Sequence, residues 1–170
     1  MINLTQKMLK DALSFDPKTG IFTWVNPSKY NHMNVGDVAG GDDGIGYIRI
    51  RVAGKKYKAH RLAWLYVNGC WPLEFIDHID GDRSNNAISN LRDVSRSINA
   101  QNQKQAHKNK VQGPLGVHWS ARHRKWIAKL SLGGERFHSR YFATPELASA
   151  AYFEMKEKVH SGYVKEVAVC

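Results

Sequence analysis

The spacing of hydrophobic residues predicts a helix and then a strand at the start of the chain. Apolar positions at helical spacing over residues 4–13 predict the helix, and either Thr5 or Asn3 can cap it. Residues 21–25 are apolar and aromatic and predict a strand, whereas residues 26–46 are rich in Gly, Asn and Asp and predict an irregular loop.

A hairpin and a second helix follow. Apolar and basic residues alternate over residues 47–51, and a turn leads into residues 57–59, which predicts a β-hairpin with one basic face. Residues 59–67 then have the pattern of a helix, and Gly69 is well placed to end it.

The last part of the chain has a pattern of its own. Strands are predicted at residues 115–119, 126–132 and 136–142, and Thr144 and Pro145 then start a helix. This order predicts a three-stranded antiparallel sheet packed on one helix. The polar, basic segment 103–114 has no apolar period, so we predict three parts: a domain at 1–102, a linker at 103–114 and a domain at 115–170.

The charge of the chain favours a polyanionic partner. Its 170 residues include 25 Lys and Arg against 15 Asp and Glu, a formal net charge of +10. Neutralising phosphates releases condensed counterions, so such a surplus favours nucleic acid, although a basic protein without that partner remains an alternative.

Two cysteines and the absence of long apolar runs limit the class of protein. Cys70 and Cys170 form no ligand quartet, so we expect no structural zinc and no disulfide scaffold. The start of the chain has no apolar signal core, and no run approaches the ~18 apolar residues of a membrane span. We therefore predict a cytoplasmic protein with no membrane partner.

The stretch after residue 75 has the residue types that phosphodiester hydrolysis needs. A short strand brings Asp77 and His78 side by side, and adjacent strand residues point to opposite faces. His78 suits a general base, Asp77 is a hard oxygen ligand for magnesium, and Asn99, on a predicted helix, offers a second oxygen ligand. The amide oxygen of Asn90 can hold the second ring nitrogen of His78.

Each of these residues also has a plainer interpretation. An Asp-His pair before a turn rich in Asp and Asn can be a capped loop, and only the whole combination is specific. We interpret Asp80 and Asp82 mainly as turn and cap residues, with a supporting role at the site as the alternative. His60 fits a structural hydrogen-bonding residue or a phosphate contact better than a second base.

The combination resembles the HNH homing endonucleases over roughly residues 15–102. The resemblance lies in the run from Asp77 to Asn86, Asn90-Leu91-Arg92, Asn99 and Asn102, and His60-Arg61-Leu62-Ala63-Trp64 upstream. It implies a ββα-metal fold with one Mg²⁺ or Mn²⁺ per active site, and cleavage to 5′-phosphate and 3′-hydroxyl ends. By position it implies Asp77 and Asn99 as metal ligands, His78 as the base and Asn90 as the residue that orients it.

The C-terminal module has candidate DNA contacts on its predicted sheet. We expect these groups on the face away from the helix, with Trp126 among them; a solvated charged face is the alternative. By position, the resemblance of this module to known DNA-binding domains implies as contacts Arg122, Arg124, Trp126, Lys129, Arg136 and His138, with Arg140 as an added phosphate contact.

This module resembles the DNA-binding domain of plant ethylene-response factors and the C-terminal half of many phage HNH endonucleases. The matching residues are Gly116-Val117-His118-Trp119, Lys125-Trp126-Ile127-Ala128, the run from Tyr141 to Ala148, and Ala150-Ala151-Tyr152. Ser139-Arg140 stands where the family usually has Leu-Gly, which puts the local strand geometry in question.

The sequence therefore predicts an α+β protein with a ββα-metal nuclease module and a sheet-plus-helix DNA-binding module. We expect a phage-encoded, monomeric HNH homing endonuclease that acts on double-stranded DNA in a bacterial host and makes a nick or a double-strand break. The alternative is a sequence-specific DNA-binding regulator with an inactive HNH module.

Overall fold

The chain divides into two compact units, residues 1–96 and 97–170. The computed structural model describes residues 4–27, 33–103 and 113–163; most of the predicted linker, and Cys170, lie outside these ranges. The helices are α1 (Gln6–Ala12), α2 (Ala59–Asn68), α3 (Arg96–Gln101) and α4 (Pro145–Val159). The strands are β1 (Leu13–Asp16), β2 (Ile21–Trp24), β3 (Gly41–Asp42), β4 (Ile48–Val52), β5 (Lys55–Lys58), β6 (Phe75–His78), β7 (Leu91–Val94), β8 (Val117–Ser120), β9 (Lys125–Leu132) and β10 (Glu135–Phe142).

In its described residues, the first unit contains three small antiparallel sheets, β1-β2, β3-β4-β5 and β6-β7. Thr5 caps α1 by accepting a hydrogen bond from the backbone N–H of Met8. Gly69 ends α2 in the left-handed conformation, at φ 77°, as its position predicts. Strand β1 was not expected: the apolar side chains of Leu13 and Phe15 are buried on one face at the two-residue period of a strand, directly after α1 ends.

One hydrophobic core holds these sheets and helices together. Its largest fully buried side chains come from α1, β1, β2, β4 and α2, and they are Leu9, Leu13, Phe22, Ile50, Leu62 and Leu65. Ile76 of β6 and Leu91 of β7 belong to the same core. The β6-β7 hairpin is therefore anchored by apolar side chains at its base, next to the polar residues that it carries.

The second unit is a sheet of order β10-β9-β8 covered by α4. Ala128 and Leu130 of β9 pack with Tyr152 of α4 in its core. Gly116 is required here, because a Cβ atom would lie 2.0 Å from the Tyr152 ring. The α+β class is confirmed, and this unit has the predicted sheet-plus-helix architecture. None of the helices in the described residues is long and apolar enough to span a membrane.

Helix α3 belongs to the second unit, so the division falls before this helix rather than after residue 102. Gln101 accepts a hydrogen bond at Oε1 from the backbone N–H of Gly162 at 3.0 Å. The backbone of Gly162 lies so close to α3 that a Cβ atom there would be 2.7 Å from the carbonyl oxygen of Ile98. The buried ammonium of Lys156 on α4 also donates to the carbonyl oxygen of Gln103.

The packing of α3 leads to a stability prediction. Gly162→Ala should destabilise the second unit by about 1–3 kcal/mol, because the new methyl group overlaps the α3 backbone. Gly41→Ala is the matched control, since a Cβ atom at Gly41 meets nothing within 4 Å. Urea unfolding of both variants measures the difference. Equal stability of the two would mean that α3 is not packed on this segment.

Candidate active site

Strands β6 and β7 bring a carboxylate and a guanidinium together at the candidate site. Asp77 is the direct cross-strand partner of Arg92, so both side chains lie on the same face. Nε and Nη2 of Arg92 donate to Oδ2 of Asp77 at 2.9 and 2.7 Å. Asp77 is only 6% exposed, so this ion pair compensates the charge of a buried carboxylate.

His78, the next residue along β6, is held by Asn86. The Nε2 atom of His78 lies 3.3 Å from Oδ1 of Asn86, and Nδ2 of Asn86 donates to the carbonyl oxygen of Ser84 at 3.0 Å. Because Oδ1 can only accept, this contact favours the tautomer with hydrogen on Nε2. The nitrogen that can take up a proton is then Nδ1.

Asn90 organises the turn after β6 and does not contact His78, so its predicted contact is wrong. Oδ1 of Asn90 accepts from the backbone N–H of Asp80 at 3.0 Å, and its Nδ2 donates to Oδ1 of Asp80 and to the carbonyl oxygen of Asn85, both at 2.9 Å. Its single amide oxygen is therefore used by the backbone of the turn. This turn places Asn86, which takes the contact expected of Asn90.

Asp80 and Asp82 shape the same turn, in agreement with their interpretation as turn residues. Oδ2 of Asp80 accepts from Nδ2 of Asn85 at 2.7 Å. Asp82 accepts hydrogen bonds from the backbone N–H and the hydroxyl of Ser84, and these bonds lower the pKa of its carboxyl group.

The position of Asn86 also depends on the turn between β1 and β2. Gly20 has φ 73°, and a Cβ atom there would lie 2.3 Å from the backbone nitrogen of Ala87. The backbone N–H of Ile88 donates to the carbonyl oxygen of Pro17 at 3.0 Å. The first hairpin therefore supports the segment that holds His78.

His78 sits against two aromatic rings that sequence analysis did not place together. The ring of His60 contacts the ring of His78 edge to face at a centroid distance of 4.9 Å, and the ring of Tyr47 lies 5.4 Å from His60 and 6.1 Å from His78. Burial lowers the pKa of His60 to about 3. Burial also lowers the pKa of His78, which favours its neutral form.

The second unit has a basic sheet face on the side away from α4. Lys129 of β9 and His138 of β10 are direct cross-strand neighbours, and Arg136 stands opposite Ser131 on the same face. A cavity of about 340 Å³ opens there, lined by His118, Lys129, Leu130, Ser131, Arg136, Phe137 and His138. Three of the predicted DNA contacts therefore share one concave surface.

The other predicted contacts of this unit lie at its turn and at a bulge. Arg122 and Arg124 are in the turn between β8 and β9, and Arg124 has φ 49°. The pairing of β9 with β10 shifts between His138 and Tyr141, so Ser139 and Arg140 form a bulge. The Ser139 hydroxyl accepts from the backbone N–H of Ala128 at 2.9 Å, which replaces a lost ladder bond.

Trp126 does not share the basic face, so its predicted placement is wrong. It lies three residues before Lys129 on an unbroken strand, and alternation puts it on the same side as Ala128 and Leu130. Its ring contacts the ring of Trp119 at a centroid distance of 5.2 Å. Its surroundings favour a packing role over a DNA contact.

Comparison with known proteins identifies the family. Residues 57–101 match the HNH endonuclease family, and this range includes Asp77, His78, Asn90 and Asn99. Protein 3.8 of Escherichia phage T7 is 31% identical over 105 residues, which make up 59% of this chain and 86% of that protein. This chain belongs to the HNH endonuclease family. It is also similar to a solved structure of the HNH homing endonuclease I-HmuI that concerns DNA binding and cleavage, with 21% identity and a TM-score of 0.45 over 94% of this chain and 87% of that one.

The HNH match ends at residue 101, so it gives no support to the resemblance of the second unit to the plant DNA-binding domain. That resemblance, and the DNA contacts assigned from it, stay predictions.

The HNH segment offers few protein ligands for a metal ion. The described residues contain no group of three or more His, Cys, Asp or Glu that could hold a metal. Asp77 supplies a hard carboxylate ligand, and a cation bound there would keep most of its coordination positions for water and phosphate, as Mg²⁺ prefers. Asn99, the second predicted ligand, lies on α3 in the other unit, and its pairing with Asp77 stays a prediction.

Sequence analysis missed Asn86, Tyr47 and Arg92 as parts of the site. The HNH segment has several asparagines after His78, and their spacing alone does not say which one reaches the imidazole. Tyr47 is distant in sequence and belongs to the predicted basic hairpin. The contact of Arg92 with Asp77 could have been predicted from a strand pairing, because a hairpin that pairs His78 with Leu91 must pair Asp77 with Arg92.

The division of labour between Asn86 and Asn90 can be tested by substitution. Asn86→Ala should lower the pKa of His78 further, because the hydrogen bond to Asn86 raises it. Asn90→Ala should instead lower the free energy of unfolding by about 3 kcal/mol, because several buried hydrogen bonds of the turn are lost together. NMR titration of the His78 ring protons and urea unfolding separate the two effects. An Asn90→Ala variant of normal stability with a shifted His78 titration would restore the sequence-based assignment.

The two faces of the second unit lead to a DNA-binding prediction. Lys129→Ala should make the dependence of log K on log salt shallower by about 0.9, the value for one phosphate contact on duplex DNA. Trp126→Ala should leave that slope unchanged and lower the stability of the unit by roughly 2 kcal/mol, because it removes a partly buried aromatic side chain. Lys158→Ala, which removes the same charge from exposed α4 surface, is the control. Binding titrations at several salt concentrations would contradict this assignment if Trp126→Ala changed the slope and Lys129→Ala did not.

Proposed function

We propose that the protein is a metal-dependent DNA endonuclease of the HNH homing type. It hydrolyses phosphodiester bonds in double-stranded DNA and leaves 5′-phosphate and 3′-hydroxyl ends. The observation that carries this proposal is the placement of His78: a 5% exposed imidazole beside Asp77, oriented through Nε2 by Asn86. A buried imidazole with one oriented nitrogen is the arrangement that a general base requires.

The residues around His78 support proton transfer from water. Nδ1 of His78 takes the proton of the attacking water, while its Nε2–H group stays bound to Oδ1 of Asn86. The imidazolium that forms lies in the field of Asp80, Asp77 and Asp82, all of which raise the pKa of His78. These carboxylates therefore stabilise the imidazolium form of His78 that proton transfer produces.

A divalent cation completes the proposed chemistry. Asp77 and Asn99 would hold one Mg²⁺ or Mn²⁺, which when bound stabilises charge on the phosphorane-like transition state and on the leaving 3′-oxygen. Arg92 orients the Asp77 carboxylate through two hydrogen bonds to one oxygen. No structural zinc takes part in this proposal.

Double-stranded DNA is the proposed partner of both units. The basic face of the second unit supplies affinity and part of the specificity, and the first unit cuts. One active site per chain supports nicking by a monomer. The relationship to a phage protein supports a phage-encoded enzyme that acts inside its bacterial host.

A DNA-binding regulator with an inactive HNH domain is the competing proposal. The ion pair between Arg92 and Asp77 is the observation in its favour, because a guanidinium already neutralises the carboxylate that should bind the cation. The oriented, neutral His78 is the observation against it, since binding alone does not require a base.

Cleavage of supercoiled plasmid DNA tests the proposal. Activity should need Mg²⁺ or Mn²⁺ and disappear in a chelator without a change in the melting temperature. His78→Ala and His78→Gln should both cut at least ~100-fold more slowly, because neither side chain can act as the base. His78→Gln is the sharper variant, since its amide can still donate to Asn86. Near-normal cleavage by either variant, or none by the wild-type protein with any divalent cation, would overturn the endonuclease proposal.

A further inference from the structure

Two cations contact the aromatic ring that lies beside the proposed base. The ammonium of Lys58 lies 3.7 Å from the centroid of the Tyr47 ring, and the guanidinium of Arg83 lies 5.0 Å from it. Arg83 also donates to the carbonyl oxygen of Ile45 at 3.0 Å, which ties it to the segment that carries Tyr47. We call these three residues, Lys58, Arg83 and Tyr47, the Tyr47 cluster.

Neither cation has an ion-pair partner within the described parts of the chain. The nearby carboxylate of Asp43 is already engaged: it accepts from Nε of Arg49 at 2.9 Å and from the backbone N–H groups of Ile45 and Tyr47, each at 3.1 Å. Asp43 therefore builds the turn that positions the Tyr47 ring, and its ion pair is with Arg49 rather than with Lys58 or Arg83.

The surroundings of Lys58 are electropositive and partly desolvated. Burial is the main cause of a lowered Lys58 pKa, and although Asp43 opposes it, Arg49, Arg83 and Arg61 lower it further. Three arginines and one carboxylate thus act on the Lys58 ammonium. The positive charges repel one another, and a bound anion would offset that repulsion. Because Lys58 is partly buried, water screens the repulsion less than it would at an exposed site.

The cluster lies beside the ring of the proposed base. The Tyr47 ring centroid is 6.1 Å from that of His78, and His60 contacts both rings. A phosphate bound between the Tyr47 and His78 rings would lie near the two cationic side chains held on Tyr47. Lys offers a mobile point charge and Arg a planar fork, and both suit phosphate oxygens.

We propose that Lys58 and Arg83, held on the Tyr47 ring, bind a phosphate of the DNA strand that His78 attacks. This inference rests on the proposed endonuclease function, because it names the group that positions the substrate at that site. Tyr47 acts as a positioning residue: its ring fixes the two cations and its backbone is fixed by Asp43.

Charge removal at the cluster, compared with the same change elsewhere, tests the inference. Lys58→Met and Arg83→Met remove one cation each and keep an unbranched side chain. Lys10→Met is the matched control, because the Lys10 ammonium also lies over a tyrosine ring, 5.0 Å from the centroid of Tyr66. Lys58→Arg and Arg83→Lys keep the charge, and melting temperatures check that all variants fold.

Binding and cleavage are then measured separately. Binding of a short DNA duplex in a chelator should show a salt dependence shallower by up to about 0.9 for each cation removed from the cluster, and unchanged in Lys10→Met. Single-turnover cleavage at saturating DNA should fall about 10- to 100-fold in Lys58→Met and Arg83→Met, because an anion-binding group that positions the reacting phosphate is lost. Lys58→Arg and Arg83→Lys should keep most of the salt dependence of binding and most of the cleavage rate.

The outcomes separate this inference from the proposed function. If the wild-type protein binds DNA but never cleaves it, and the cluster variants still lose salt dependence, phosphate binding stands while the endonuclease proposal fails. If the protein cleaves and the cluster variants bind and cut like Lys10→Met, the inference is overturned and the endonuclease proposal stands. A loss of salt dependence with normal saturated cleavage would overturn the placement of the phosphate at the reacting strand.

Discussion

The hydrogen bonds between Asn90 and the turn after β6 are the interaction on which the candidate site depends. One buried amide holds the backbone N–H and carboxylate of Asp80 and the carbonyl of Asn85, so it fixes both ends of the turn at once. Asn86 follows directly and orients His78, and Arg83 projects from the same turn to Tyr47. A networked polar clamp of this kind specifies one conformation, because each partner would be left unsatisfied in any other.

Burial gives the site its acid-base character. His60 and His78 contact each other, and two charged imidazoles at that distance would repel strongly. Burial lowers the pKa of both rings, which favours their neutral forms. The nearby carboxylates of Asp77, Asp80 and Asp82 oppose the effect of burial for His78 alone, because they raise its pKa. The two histidines therefore differ in their neighbours more than in their burial, and only His78 has anionic groups ready to stabilise a proton that it gains.

The sequence was sufficient for most of the helices and strands and for the HNH segment, but not for the contacts among similar side chains. Helical and strand periods located α2, α4 and the hairpins, because burial of one face leaves a repeating pattern. The resemblance to HNH endonucleases, carried by Asp77, His78, Asn90 and Asn99 among others, pointed to an HNH site. Which asparagine meets His78 depends on the path of a turn, and that path is set by tertiary packing that no local pattern records.

The same limit explains the remaining errors. Counting alternate positions back from Lys129 would have placed Trp126 on the helix side of its sheet, so this misplacement came from grouping by residue type rather than by position. The assignment of α3 to the second unit rests on Gly162 and Lys156, which are far from α3 in sequence. Long-range contacts of this kind leave no periodic signal in the helix itself.

The close approach of Gly20 to the backbone of Ala87 has a consequence for genetics. A loss-of-function screen would return Gly20 together with His78, because nearly any side chain at Gly20 displaces the segment that carries Asn86. Such a screen ranks positions by phenotype and would nominate Gly20 as a catalytic residue. Gly20 contributes only the space that a side chain would fill. Its loss-of-function alleles would therefore look like active-site alleles, although Gly20 takes no part in the reaction.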